Sequence, residues 1–437
     1  METHLADWLR GTPEGDEAES ILRSCVHCGF CTATCPTYQL LGDELDGPRG
    51  RIYLMKQVME GAAPSRETQL HLDRCLTCRN CESTCPSGVR YGHLVDIGRR
   101  LVEERVERPL GERVVRAALR EGLTRRWLFD PAMRVGQAVR PLLPAALKSK
   151  VPERRAPGRR PSRVHERKVL VLAGCVQPAM IPAIDAATER VLDALGIQAI
   201  AAPGAGCCGA IRHHLNDGPG ALDDLRRNID AWWPWIEGTA VSRTDGGGLA
   251  AARGRGVEAI VVNASGCGAM IADYGHLLRD DPRYAEKAAR VSALMQDLSV
   301  FLAPERERLA QLVAAASPPP DGDPLPRRVA FHPPCTLQHG QQVRGTTEAL
   351  LAACGATLQP FGESHLCCGS AGTYSVLQPT LSKQLRDRKL SNLQADAPDA
   401  ILSANIGCLT HLQSGTATPV RHWVEWLDRA IAGARAA

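Results

Sequence analysis

The feature that most constrains this chain is a cysteine run that occurs twice. The first copy reads Cys25-Val-His-Cys28-Gly-Phe-Cys31-Thr-Ala-Thr-Cys35-Pro36, and the second reads Cys75-Leu-Thr-Cys78-Arg-Asn-Cys81-Glu-Ser-Thr-Cys85-Pro86. Both have the spacing C-x2-C-x2-C-x3-C-P. Thiolates three residues apart on a tight loop reach three corners of a [4Fe-4S] cube. The fourth cysteine points away, and the proline after it stops a regular helix from continuing. A zinc site ordinarily pairs two C-x2-C units, or one such unit with two histidines, across a longer spacer. Three cysteines packed so closely, and twice over, favour iron–sulfur ligation over zinc. Disulfides need an oxidising compartment, and the count of 17 cysteines is odd.

The spacing resembles the ligand run of bacterial two-cluster ferredoxins, in which the fourth cysteine of each run ligates the other cluster. The resemblance implies two [4Fe-4S] clusters, one on Cys25, Cys28, Cys31 and Cys85, the other on Cys75, Cys78, Cys81 and Cys35. Between Cys35 and Cys75 lie 39 residues. Gly47-Pro48-Arg49-Gly50-Arg51 opens a stretch there, Ile52 to Glu60, with helical spacing of apolar residues. A helix in that position departs from small ferredoxins. It resembles the alpha-helical ferredoxin domain of succinate dehydrogenase and heterodisulfide reductase subunits. Arg49 and Arg51 have two readings: charges that tune a cluster, or solvated residues at a helix start. Residues 1 to about 20 are polar and are expected to fray.

A length of 437 residues suggests about three domains, and an apolar fraction of 44% is ample for their cores. The net charge of +4, from 52 basic and 48 acidic residues, makes no demand for nucleic acid. Met1 to Arg10 carries acids and no apolar core, unlike a signal peptide. The longest uncharged apolar stretch, Ala259 to Ala272, is too short to span a bilayer. A soluble, cytoplasmic chain is expected, with any contact to the inner face of the cell membrane peripheral. After Arg-rich helical stretches from Arg99 to Arg126 come Pro141, Pro144, Pro152, Pro157 and Pro161, among which Arg154, Arg155, Arg159, Arg160 and Arg163 accumulate. This reads as a helical extension and a mobile, solvated basic linker, the alternative being contact with anionic lipid or an acidic partner.

From Lys168 the pattern becomes strand and helix in alternation, and it repeats. Lys168 to Cys175 is an apolar strand ending in cysteine, and Arg328 to Cys335 is its counterpart 160 residues later. A helix follows each, Ala183 to Leu195 and Thr346 to Cys354, then a second strand, then a pair, Cys207-Cys208-Gly209 and Cys367-Cys368-Gly369. The gap from single cysteine to pair is 31 residues in both copies. A third strand ends at Cys267 or Cys408, and each copy is expected to close on a helix, Val291 to Leu298 and Val420 to Leu427. The first copy is longer between pair and third strand, chiefly through the Gly-rich stretch Asp245 to Gly256. In open α/β sheets ligands bind beyond the carboxyl ends of strands. The reading therefore gathers Cys175, Cys207, Cys208 and Cys267 at one mouth, and Cys335, Cys367, Cys368 and Cys408 at another, as a further cluster or redox site. Cys354 falls outside the pattern and reads as core.

These repeats are similar to the cysteine-rich CCG domain of heterodisulfide reductase. Two ferredoxin runs followed by two CCG units resemble the family of glycolate oxidase (glycolate dehydrogenase) iron–sulfur subunits. Pro48-Arg49-Gly50-Arg51-Ile52 and Ser403-Ala404-Asn405-Ile406-Gly407-Cys408-Leu409-Thr410-His411-Leu412 strengthen the match over its lactate-utilisation and anaerobic glycerol-3-phosphate dehydrogenase cousins. The implied fold class is α plus α/β: an alpha-helical ferredoxin domain (1–100), a helical extension and basic linker (101–167), and two α/β CCG repeats (168–320 and 321–437). The resemblance implies FAD-binding partner subunits that oxidise glycolate to glyoxylate, with a quinone or other acceptor. One departure stands out. The CCG pattern usually ends in C-x-x-C, but Met270 follows Cys267 and His411 follows Cys408 at that place. His411 is open to two readings, a substitute imidazole ligand or a hydrogen-bonded helix histidine.

Oxidising a 2-hydroxy acid removes two electrons, usually as hydride, which an iron–sulfur cluster cannot accept. The chain offers no flavin site. Gly246-Gly247-Gly248 lacks a preceding strand and reads as loop. The expectation is an electron-transfer subunit, not catalytic alone. Disulfide reduction at the paired cysteines is the rival, and structural zinc in the CCG repeats a third reading.

Overall fold

The computed structural model describes residues 1–243, 249–251, 256–316 and 324–432. Gly246–Gly248, most of the Gly-rich stretch and the boundary at 320–321 lie outside the described residues. The architecture is a helical N-terminal unit followed by two parallel-sheet α/β units.

In the N-terminal unit, helices Pro13–Ser24, Pro48–Met59, Arg66–Asp73 and Tyr91–Glu103 bury Ile21, Leu22, Met55, Leu72, Leu94 and Val95 in one core. The Thr12 hydroxyl accepts from the Gly15 amide (3.0 Å), and Ser65 and Thr68 form a capping box, so two of these helices start where their side chains satisfy free amides. The expected fraying of residues 1–20 is corrected. Leu5 and Leu9 are 4% and 3% exposed and belong to the same core.

The strands are β1 (Arg167–Val171), β2 (Ile197–Ile200), β3 (Val241–Arg243), β4 (Leu249–Ala251), β5 (Ile260–Val262), β6 (Met295–Asp297), β7 (Arg328–His332), β8 (Thr357–Leu358), β9 (Ala400–Ser403) and β10 (Val420–His422). The first sheet runs β2-β1-β5-β6 and the second β8-β7-β9-β10, all parallel, so the two orders match strand for strand. Strands β3 and β4 form a separate antiparallel hairpin. Parallel strands are covered on both faces, hence the apolar runs Val169–Val171 in β1, Ile260–Val262 in β5 and Ala400–Leu402 in β9.

The closing segments differ from expectation. Each holds a short fourth strand, β6 or β10, before helix Leu298–Leu302 or Trp423–Ala432. The Asp297 carboxylate accepts from the Ser299 amide and His422 Nδ1 from the Val424 amide, which halts one element and starts the next. Three-residue strands are too short to imprint a period on the sequence.

One core spans both repeats, because helix Ala183–Ala194 packs on helix Trp423–Ala432. Arg190 grips Asp428 there through Nε (2.9 Å) and Nη2 (2.6 Å), and Trp423 is 1% exposed. Beyond helices Leu110–Thr124 and Arg126–Ala138, the basic segment expected to be mobile is tied to this pair: Arg190 donates to the Pro157 carbonyl at 2.8 Å.

The N-terminal unit touches both repeats. His93 stacks on His276 with ring centroids 4.0 Å apart, and His213 meets Asp96 at 3.1 Å. On the other side Asn80 donates to the His365 carbonyl (3.2 Å) and Ser83 meets His339 at 2.9 Å. No helix among the described residues is long and apolar enough to cross a membrane.

Candidate functional site

The two cysteine runs fold alike. The residue before the second cysteine and the residue after it have left-handed backbone in both copies: His27 (φ 57°) and Gly29 (φ 82°), then Thr77 (φ 51°) and Arg79 (φ 59°). For a side chain other than glycine this costs on the order of 1 kcal/mol. Its recurrence at equivalent positions follows from the loop curling each triplet of thiols inward. The Thr77 amide accordingly donates to Cys75 Sγ at 3.4 Å.

The fourth cysteine of each run crosses over. One cavity is lined by Cys25, Cys28, Cys31 and Cys85, with Arg49 and Pro86 at its wall. A second is lined by Cys35, Cys75, Cys78 and Cys81, with Arg51 and Thr37. Cys81 and Tyr91 line both, so little more than a side chain separates them. Burial, with Cys25, Cys28 and Cys85 close by, pushes the Cys31 thiol up to about 11. All of these cysteines are free of disulfides. Four convergent thiols in a largely apolar wall form the donor set that a [4Fe-4S] cluster takes, so the residues fit that group.

The two arginines part company. Arg49 lies half-exposed against Glu44 (2.6 Å). Arg51 is 1% exposed and donates to the His71 carbonyl (2.7 Å) and the Thr37 hydroxyl (3.2 Å). It faces Asp46, itself 0% exposed, at 3.4 Å. Arg74 (2.8 Å) and His71 (3.1 Å) hold the same carboxylate. Arg51 is therefore a buried cation at the wall of the second cavity, not a solvated helix-start residue.

In each α/β repeat the four cysteines meet as the strand ends require. Cys175, Cys207, Cys208 and Cys267 form a chain of thiol–thiol contacts in that order. Cys335, Cys367, Cys368 and Cys408 form the same chain. The glycine after each pair turns at positive φ, 90° at Gly209 and 85° at Gly369. A Cβ at Gly369 would lie 2.4 Å from the Ser382 carbonyl oxygen, so only glycine lets the pair sit on the following helix. Met270 is buried beside Cys208 and Ile271. His411 Nε2 lies 3.1 Å from the Ser382 hydroxyl and 3.2 Å from its carbonyl, and burial pushes its pKa down to about 4. It is the hydrogen-bonded helix histidine of the two readings. Cys354 is 3% exposed in the shared core.

Sequence reasoning passed over a different histidine. His332, the last residue of β7, is 0% exposed, and neither ring nitrogen has a partner. Its ligand atom and those of Cys368 and Cys408 all lie within 4.8 Å of one another. The second repeat also touches the second N-terminal cavity. Leu76 packs with Cys335, Cys367, Tyr374, Leu381 and Leu385, and Cys78 abuts that cluster. Burial, and then neighbouring Cys335, push the Cys78 thiol up.

Comparison with known proteins agrees with this layout. A 4Fe-4S dicluster domain model matches residues 21–89, and a cysteine-rich domain model matches residues 169–272 and 329–413. The chain is 50% identical over 432 residues to the glycolate oxidase iron–sulfur subunit of Escherichia coli (strain K12), covering 99% of both chains. It is 29% identical over 434 residues to the probable glycolate oxidase iron–sulfur subunit of Bacillus subtilis (strain 168), covering 92% of this chain and 90% of that one. It is 25% identical over 249 residues to lactate utilization protein A of Bacillus licheniformis, covering 56% of this chain and 90% of that one.

Proposed function

The chain belongs to the family of glycolate oxidase iron–sulfur subunits, and from that premise we propose that it is the electron-transfer subunit of a flavin-dependent 2-hydroxy-acid dehydrogenase. The complex oxidises glycolate to glyoxylate, with FAD on partner subunits and a quinone or other acceptor. The observation that carries this reading is the crossing of eight thiols into two sets of four. Cys25, Cys28, Cys31 and Cys85 hold one [4Fe-4S] cluster, and Cys35, Cys75, Cys78 and Cys81 the other. A cluster bound there takes up and returns one electron at a time. Arg51 sets a fixed positive charge beside the second set, and the crossed ligation through Cys35 and Cys85 keeps the two sets adjacent.

The surroundings support a direction. Cys28 is exposed, and Val26 (67%) and Phe30 (61%) stand out on either side of it, an apolar landing for a partner subunit. The second set faces inward to the second repeat, and in the two repeats the paired cysteines supply a metal or redox site. Near-complete burial of Cys207, Cys208, Cys367 and Cys368 leaves a bulky disulfide substrate no approach, so we set disulfide reduction second. Contact with a membrane, if the complex makes any, is peripheral.

The test is rapid mixing of glycolate with the assembled complex, wild type against Cys78→Ser, following flavin and cluster absorbance separately. Flavin reduction persists and transfer to the acceptor fails in the variant, while the isolated chain shows no turnover. Turnover by the lone chain, or a full transfer rate in the variant, overturns the reading. Turnover with lactate in place of glycolate keeps the mechanism and changes the substrate.

A further inference from the structure

We propose that the second α/β repeat binds a single tetrahedral metal ion of the zinc class through His332, Cys368 and Cys408. This rests on reading the paired cysteines as a metal or redox site, and it narrows that reading for one of the two repeats.

The first ground is an unmet need. His332 is wholly buried and neither of its ring nitrogens has a partner. A buried polar atom left unpaired gives up its hydration with nothing in return. A bound cation removes that cost, since neutral imidazole is an ordinary metal ligand.

The second ground is scale. Around one tetrahedral zinc, with Zn–S of about 2.3 Å and Zn–N of about 2.0 Å, ligand atoms lie roughly 3.5–3.8 Å apart. The ligand atoms of His332, Cys368 and Cys408 all fall within 4.8 Å of one another, and among the described residues no other such set contains a cysteine. The N-terminal cysteines gather around open cavities instead, as a multi-iron cube requires. Cys367, in contact with Cys368, is the neighbouring thiol for a fourth position.

The third ground is the contrast between repeats. Counting back from the strand-end cysteine, Leu172 stands where the second repeat has His332, and it is 3% exposed. The first repeat thus gathers four thiols with no imidazole. The second adds His332, and buried Lys389 also faces Cys335, Cys367 and Cys368. The chemistry at the two mouths differs although the backbone repeats.

The experiment is iron, sulfide and zinc analysis of the anaerobically purified full chain, with zinc-edge X-ray absorption. The variants are His332→Leu, which copies the residue tolerated at position 172, and Cys408→Ser. Wild type carries about one zinc per chain, with one imidazole nitrogen at about 2.0 Å among sulfurs at about 2.3 Å. Each variant drops zinc to less than about a tenth of that, and His332→Leu loses the nitrogen scatterer. Iron and sulfide stay unchanged. Zinc that persists in His332→Leu with its nitrogen scatterer overturns the proposal. A joint fall of iron and sulfide overturns the single ion but leaves the cysteines as a cluster site. No change of any metal in either variant overturns the metal reading of this repeat altogether, while the N-terminal assignment stands on its own iron.

Discussion

The hydroxyl of Tyr374 donates to the backbone carbonyl of Arg74 at 3.1 Å. A side chain late in the second repeat thereby holds the residue immediately before Cys75. The bond is part-buried, and the Tyr374 ring packs with Leu76, Leu381 and Leu385, so the loop that opens the second cavity is clamped by a distant part of the chain.

Tyr374→Phe removes that bond and leaves the ring. The expected loss is about 1 kcal/mol, the net worth of one hydrogen bond, with some desolvation cost for the orphaned carbonyl. Amide hydrogen exchange should quicken in residues 75–78 and stay unchanged around β5. Uniform protection across both segments would refute the clamp.

Arg51→Gln leaves Asp46 buried with one ionic partner fewer. Arg74 stays on Asp46 at 2.8 Å, so the cost falls below the about 3–5 kcal/mol of a buried charge left without a partner, and it is read as a lowered thermal midpoint. Loss of the cation beside Cys35 and Cys75 should also lower the potential of the cluster those residues hold. Lysine should not restore the wild type, because the guanidinium serves the His71 carbonyl and the Thr37 hydroxyl together.

Cys35→Ser should perturb the cluster whose other ligands are Cys75, Cys78 and Cys81, and Cys28→Ser the other. Electron paramagnetic resonance of the two reduced variants distinguishes the cases. The same signal lost in both, with the second intact, would contradict crossed ligation.

The contact of His213 with Asp96 joins the first repeat to the N-terminal unit and is expected to weaken with rising pH. Burial alone lowers the His213 pKa, but Asp96 outweighs it and the net shift is upward from 6.5. Asp273 adds to the rise, and Arg99 opposes it. A raised histidine contributes its full stability below the unfolded value and loses it as pH climbs through the folded one. Asp96 is depressed and stays ionised throughout that window. In denaturant titrations the advantage of wild type over His213→Gln should shrink between pH 6 and pH 9. A constant difference would assign the bond no ionic part.

The ferredoxin runs were legible because ligand spacing is local: three thiols on one loop must be neighbours in sequence. Strands β1, β5, β7 and β9 were legible as apolar runs, and the repeat showed in the equal gap from Cys175 to Cys207 and from Cys335 to Cys367. Strands β6 and β10 were hidden by their length. His332 was hidden for another reason. At the end of an apolar strand it looks like any core residue, and its meaning depends on Cys368 and Cys408, which only the sheet order brings near. Arg51 and Asp46 were obscured likewise, since charge at a helix start ordinarily means solvent.

Leu76 is 5% exposed, and the residues that cover it, Tyr374, Leu381 and Leu385, come some 300 positions later. At about 5–20 residues per second, ribosomes take roughly 15–60 seconds to make that stretch. Throughout that interval the loop bearing Cys75 and Cys78 has no lid, so a scaffold delivering iron and sulfide has open access during synthesis. Once the last hundred residues fold, Tyr374, Leu381 and Leu385 cover Leu76 and narrow that access. Chain order thus leaves the loop uncovered until the second repeat packs over it.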